Sequence, residues 1–241
     1  MEPYLSRNYR RIPKANDLTF YRVRIEQSDL SIGTAKPRPD LAQRALTEAR
    51  AQIQRTIKTC PSFLTSLVPL PDFSGETVPN WMLHAGRAAQ VGPMAAVAGA
   101  VARFVGEALG EVFEDVLVEN GGDVYIRSRT ARVAAVYAGK SPLSNRLGIV
   151  VPPGTWGLCT SSGKIGPSYS QGRADAAAIL SHDSALSDAA ATALGNHVVT
   201  PDDLRPAVQQ SLTVPGVLGA LAVLGDQMGA GGQIELCSLE E

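Results

Sequence analysis

"VENGGDVYI", Val118 to Ile126, sets two short runs rich in β-branched residues on either side of Asn120-Gly121-Gly122-Asp123. Asn-Gly and Gly-Gly between such runs give the strongest short-range hairpin signal, because glycine readily takes the positive φ of a two-residue turn. A hairpin here makes the surrounding sheet antiparallel, at least locally. A functional reading stands beside it. Two glycines let backbone approach a ligand closely, while Asn120 and Asp123 supply polar contacts.

Working toward the C-terminus, "EDVLVE", "DVYIRS", "ARVAAVYAG", "LGIVVP" and "WGLCTSS" are Val/Ile-rich runs separated by turn residues, and they read as strands. "ADAAAIL" (Ala174 to Leu180) suits strand or helix by composition and is read as a strand. "SDAAATALGN" (Ser187 to Asn196) is a short alanine-rich helix, and "PDDLRPAVQQ" forms another from Thr200 or Pro201. "VPGVLGALAVLG" is read as a helix or a loose apolar turn, and "QIELC" as a closing strand.

Working toward the N-terminus, a helix starts at Pro93, which suits a first helical turn, and runs through "MAAVAGAVARFVGEALG". Ala, Gly and Val on nearly every face of its first half predict a buried helix closely approached by other backbone. Residues 61–80 are proline-rich and read as an extended connection. Asp40 is the expected N-cap of a helix through Thr59, with Leu46, Ala49, Ile53 and Ile57 on one face. "LTFYRVRIEQSDLSIGT" (Leu18 to Thr34) alternates with period two around a turn at Gln27-Ser28-Asp29, which predicts a hairpin. No repeat and no low-complexity linker divides the chain. The expected fold is one α+β domain over 1–241, open to a reading as two intertwined subdomains. An antiparallel or mixed sheet packs with helices, and residues 1–16 form a flexible arm.

Charge excludes some function classes. With 22 basic and 23 acidic residues the net charge is −1, so no bulk field recruits nucleic acid or an acidic membrane. The basic run "SRNYRRIPK" (Ser6 to Lys14) reads as a solvated arm. Cys60, Cys159 and Cys237 are sparse, odd in number and without C-x-x-C spacing, as expected in a reducing compartment. No apolar signal region opens the sequence and no apolar run reaches membrane-spanning length, so a cytoplasmic location is expected.

Three segments carry candidate chemistry, the Gly-Gly turn being the first. The second, "CTSSGKIGPSYSQG" (Cys159 to Gly172), brings Thr160, Ser161, Ser162, Gly163 and Lys164 together with Ser168, Tyr169 and Ser170. Backbone N–H groups, hydroxyls and a lysine suit phosphate oxygens, although the spacing is not that of a P-loop. A flexible Ser/Gly loop is the plain alternative. The third is the alanine-rich helix. Asp188 and Thr192, four residues apart, lie on one face. Either Asp188 sits in the first turn and favours the positive helix end while Thr192 bonds back to the i−4 carbonyl, or the two are hard oxygen ligands of the kind Mg²⁺ prefers. His84, His182 and His197 match no catalytic triad spacing.

Taken in order, these pieces resemble a family. "VENGGDVYI" is similar to the V-N-x-G-G-D segment of the ApbE-type FAD:protein FMN transferases, "TSSG" (Thr160 to Gly163) to their T-S-G, and "DAAATAL" (Asp188 to Leu194) to their D-A-x-x-T-A-L. Across about residues 90 to 196 the chain more closely resembles an uncharacterised branch of that superfamily. The resemblance implies an ApbE-like (T-fold-like) domain that binds FAD or FMN, or a related nucleotide, with Mg²⁺. Asp188 and Thr192 are then metal ligands. Asn120, Gly121, Gly122, Asp123, Thr160, Ser161, Ser162, Gly163 and Lys164 are then cofactor contacts. It also implies a homodimer. Two motifs depart from the family: the transferases' H-x-x-D-P-x-T-G segment is replaced by "PSYSQGRADAAAILS", and Ala98-Gly99 stands where they carry a helical lysine. A ligand-binding module without transfer activity is therefore the rival expectation.

Overall fold

The computed structural model describes residues 17–73, 75–162 and 172–239. Among them the principal element is an eight-stranded sheet, ordered β1-β2-β3-β4-β7-β8-β9-β10, with every neighbouring pair antiparallel. Its strands are β1 (Thr19–Ile25), β2 (Ser28–Thr34), β3 (Val116–Asn120), β4 (Asp123–Ser128), β7 (Gly154–Ser161), β8 (Ala176–Ser181), β9 (Val217–Leu224) and β10 (Gln227–Gly232). A second, three-stranded sheet is ordered β11-β6-β5 from β5 (Arg132–Ala135), β6 (Leu147–Val151) and β11 (Glu235–Ser238). The helices are α1 (Pro39–Thr59), α2 (Ser62–Thr65), α3 (Thr77–Ala89), α4 (Val97–Gly110), α5 (Ser184–His197) and α6 (Leu204–Ser211). The fold is α+β, as expected.

Two hydrophobic cores follow from the two-residue period of the strands. Leu30, Ile32, Val116, Val118, Tyr125, Ile179 and Ala220 point from the large sheet to the helices. Their neighbours Leu117, Val124, Ile126, Leu158, Leu180 and Leu221 point the other way, where Ile149 and Val151 of the small sheet cover them. The central strands are thus buried on both faces. This corrects the reading of "VPGVLGALAVLG", which is β9. A strand covered on both faces has no polar alternation, so its pattern cannot be told from that of a buried helix.

Other local expectations change for local reasons. The helix ending at Thr59 begins at Pro39, so Asp40 is not its N-cap. Asp40 lies in the first turn and pairs with Arg38 instead. Residues 61–80 are not simply extended, because α2 forms within them and α3 starts at Thr77. Pro79 misleads there: it sits in the first turn of α3, where its missing N–H costs nothing. Pro93 opens a 3₁₀ turn (Pro93–Ala96) and the α-helix proper begins at Val97. The first hairpin turns at Glu26-Gln27, and Ser28 already belongs to β2. No single helix among the described residues is long and apolar enough to cross a membrane.

Candidate functional site

The β3–β4 hairpin turns at Gly121 and Gly122, whose φ values of 73° and 114° explain the glycines. Register then places Asn120 directly across from Asp123. Both face the helices, being two residues from Val118 and Tyr125, which pack on that side. The β4–β7 register sets Asp123 opposite Cys159, and the next helix-facing residue along β7 is Ser161.

The helix layer meets this corner through α4 and α5. Asp188 of α5 accepts a hydrogen bond from the Gly99 N–H at 2.8 Å. Ser184, one turn earlier on the same face, donates its hydroxyl to the Gly99 carbonyl at 2.9 Å. One residue in the first turn of α4, Gly99, is thus held by α5 through both its backbone N–H and its carbonyl. Contact this close needs glycine, since a Cβ at position 99 would lie 2.1 Å from the Ser184 carbonyl oxygen. Asn120 completes the join by donating its side-chain amide to the Ala98 carbonyl at 3.2 Å.

These contacts correct the capping alternative. Helix α5 starts at Ser184 and is capped by Asp183, whose carboxylate accepts the Ala185 and Leu186 N–H groups. Asp188 lies beyond that first turn. It caps another helix, α4, supplying the acceptor that a helix N-terminus otherwise lacks. Thr192 is half-buried one turn further along α5, and its hydroxyl makes no hydrogen bond among the described residues, the expected i−4 bond included.

The electrostatics of the corner are unfavourable as it stands. Asp123 and Asp188 are each only 8% exposed. Burial raises the Asp188 carboxyl to about 7, against the pull of the Gly99 and Ala98 N–H groups. Burial, with the Asp188 charge behind it, holds the Asp123 carboxyl well above the usual range. The Cys159 thiol is pushed up by burial and by the same two carboxyls, so it is not a poised nucleophile. It donates to the Ser184 carbonyl at 3.3 Å. Two buried carboxyls this near cannot both ionise without a counter-charge.

The remaining sequence candidates divide. Thr160 and Ser161 end β7 and are half-buried, with Ser162 directly after them. Gly163 and Lys164 lie outside the described residues, as do Ser168, Tyr169 and Ser170. Gly122 donates its N–H to the Glu119 carboxylate at 3.0 Å, so the turn is internally braced. The histidines are engaged elsewhere: His182 stacks on Trp156 with centroids 4.1 Å apart, His84 faces Asp72 and His197 bonds the Ala193 carbonyl. No group of three or more His, Cys, Asp or Glu among the described residues is arranged to hold a metal. The structure also adds what sequence reasoning missed, the paired grip of Ser184 and Asp188 on Gly99. The Ser184–Asp188 spacing of four was the available signal, matching that of Asp188 and Thr192.

A family model described as "AbpE bacteria" matches residues 10–226. The UPF0280 protein of Methanothrix thermoacetophila is 42% identical over 200 residues, covering 81% of this chain and 84% of that protein. That of Methanosarcina acetivorans is 39% identical over 201 residues, covering 81% and 79%. Among solved structures, the flavinyl transferase ApbE of Pseudomonas stutzeri in its apo form superimposes with a TM-score of 0.55 at 12% identity, over 89% of this chain and 94% of that one. The flavin transferase ApbE of Vibrio cholerae gives 0.54 at 12% identity, over 89% and 96%. At such identity the likeness is one of fold. Sequence and fold together place the chain in the "AbpE bacteria" family, with the UPF0280 proteins among its relatives.

Proposed function

We propose that this protein binds a flavin or a related nucleotide diphosphate together with Mg²⁺ at the corner between the β3–β4 turn, the end of β7, and helices α4 and α5. The observation that carries the reading is the pair of buried carboxyls, Asp123 and Asp188, set against one another beside a glycine turn. The donor set fits a hard cation in type: carboxylate oxygen from Asp188 and the unbonded hydroxyl of Thr192, with Asp123 close by. Ligand phosphates and water complete the shell, as Mg²⁺ sites commonly require. The fold shared with flavin transferases supports a flavin as the ligand.

In this reading Asp188 and Thr192 hold the cation, which when bound neutralises phosphate charge and polarises a phosphoryl oxygen. Asn120, Gly121, Gly122 and Asp123 border the ligand on one side. Thr160, Ser161 and Ser162 border it on the other, and Gly163 and Lys164, which follow them in sequence outside the described residues, are offered as further contacts on sequence alone. Asn120 contributes by fixing the start of α4. Binding without group transfer is the second reading. It is favoured by "PSYSQGRADAAAILS" in place of the transferases' histidine-bearing segment and by the engagement of the three histidines elsewhere.

Calorimetric titration with FAD, with and without Mg²⁺, tests the binding reading. Binding is expected in the parent protein only when Mg²⁺ is present. Asp188→Asn and Thr192→Val should each weaken it roughly tenfold or more, the scale of losing a ligand group. Parent binding that both variants leave unchanged refutes the site, and so does failure of the parent to bind. Release of AMP from FAD, followed by chromatography, separates transfer from binding alone.

A further inference from the structure

We infer that Arg103 is a positioning residue for the ligand corner: it holds the cap of α5 so that Asp188 and Thr192 stay in place. The role rests on the ligand reading for its consequence, though not for its geometry. Arg103 follows Gly99 by four residues, so the two lie on the same face of α4. Gly99 meets α5 at Ser184 and Asp188, and Arg103 meets the residue just before that helix, its N-cap Asp183. The Asp183 carboxylate is divided between the two helices. Its Oδ1 accepts the Ala185 N–H at 2.9 Å, while its Oδ2 lies 3.0 Å from Arg103 Nη1. The guanidinium is fixed on two further sides. Its Cζ stands 3.9 Å from the ring centroid of Trp81 on α3, and its Nε donates to the Glu107 carboxylate at 2.7 Å.

A second point of attachment matters because α5 has little shape of its own to hold it. Ala185, Ala189, Ala190 and Ala191 are buried along it, and ridges built of such small side chains interlock weakly. A slip of one residue along the helix axis is only about 1.5 Å. That is enough to break the 2.8 Å bond from the Gly99 N–H to Asp188, and it carries Thr192 away as well. Ser187 ties α5 to the sheet through the Gly157 carbonyl, but the α4 side sets the distance between Asp188 and Gly99. There, the grip at Gly99 fixes a point, and Arg103, about 6 Å further along α4, fixes a direction. The Arg103–Asp183 pair adds little to overall stability, since its side chains are 25% and 40% exposed. Its effect is on geometry.

Hydrogen exchange at the Gly99 amide, followed by NMR without ligand, tests this directly, because that amide donates to Asp188. Asp183→Asn keeps the cap, since Asn caps about as well as Asp, but removes the charge that Arg103 holds. Arg103→Gln removes the other half of the pair. Each should speed exchange at Gly99 roughly tenfold while the thermal midpoint changes little. Each should also weaken Mg²⁺-dependent FAD binding roughly tenfold in calorimetry. The double variant should do no more than either single one. Arg87→Gln, which breaks the exposed pair between α3 and Asp72, should change neither readout. Unchanged exchange at Gly99 in the folded variants overturns the inference. So do losses that add in the double variant, or FAD binding that both single variants leave intact. A parent that fails to bind FAD refutes the ligand reading instead, and exchange at Gly99 then decides the positioning role by itself.

Discussion

Replacing Gly99 by alanine separates two opposite expectations. Helix propensity alone favours the change, by at most about 1 kcal/mol, the figure for an interior helical position. Packing opposes it. The new Cβ would lie 2.1 Å from the Ser184 carbonyl oxygen and 2.7 Å from its carbon, both backbone atoms of α5 that no rotamer change can move. Restoring ordinary contact requires α4 and α5 to part by on the order of 1 Å. That displacement takes the 2.8 Å bond from the Gly99 N–H to Asp188 beyond hydrogen-bonding range and weakens the 2.9 Å bond from Ser184. Overpacking costs about 1–3 kcal/mol and a lost bond to a charged acceptor about 1.5–3, so after the propensity gain the net loss is about 1.5–5 kcal/mol. Urea unfolding reads this directly as a lower midpoint at unchanged slope. A midpoint that is unchanged, or raised as propensity alone requires, refutes the close packing of α4 on α5 and with it the architecture of the site.

Two further outcomes probe the scaffold, at the end of the β3–β4 hairpin away from the corner and at the seat of α5 on β7. Burial works against ionisation of Asp115, but the Arg129 N–H and guanidinium and the Ser128 hydroxyl outweigh it and lower the carboxyl below its ordinary value. Its stabilising contribution is therefore present above the unfolded aspartate pKa of about 3.9 and is lost as pH falls through the lowered one; Asp115→Asn should reduce stability at pH 7 and shrink the difference between pH 7 and pH 3, as followed by thermal melts. The Ser187 hydroxyl donates to the Gly157 carbonyl at 2.9 Å and lies 2.8 Å from that of Ser181, so Ser187→Ala should cost about 1 kcal/mol in urea unfolding while leaving Mg²⁺-dependent FAD binding unchanged.

What sequence disclosed depended on whether a signal was local. The Asn120 to Asp123 turn, the alternation in β1 and the apolar face of α1 are local patterns, and each forms where expected. Strand β9 and the beginning of α3 are decided elsewhere. Only the small sheet, far away in sequence, makes a continuous apolar run a strand covered on both faces, and Pro79 resembles a helix breaker until the true start of α3 is known. The candidate site shows the same division. Asp188 and Thr192 could be picked out by their spacing, but not the fact that Asp188 reaches 89 residues back along the chain to Gly99. Asp123 is legible in the sequence as a turn residue and a candidate ligand contact, but only the strand register sets it facing the helices opposite Cys159.

The long-range bond matters because it ties fold to chemistry through one side chain. Helix α4 is held at both ends by charges from other elements: the Asp188 carboxylate at its first turn, and the Arg127 guanidinium on the Gly110 carbonyl at its last, 2.9 Å away. Each charge complements the end of the helix dipole it faces. Asp188 would therefore be kept even in a protein that bound no cation, and its presence alone says little about function. Thr192 and Asp123 carry the functional weight instead. Thr192 is a half-buried hydroxyl with no partner among the described residues, and Asp123 is a buried carboxyl placed where Asp188 already is. A purely structural corner gains nothing from a second carboxyl there, since hydrophobic or amide side chains fill such positions at lower cost. The substitution that separates fold from ligand is accordingly Thr192→Val, which deletes an oxygen that the helix does not use.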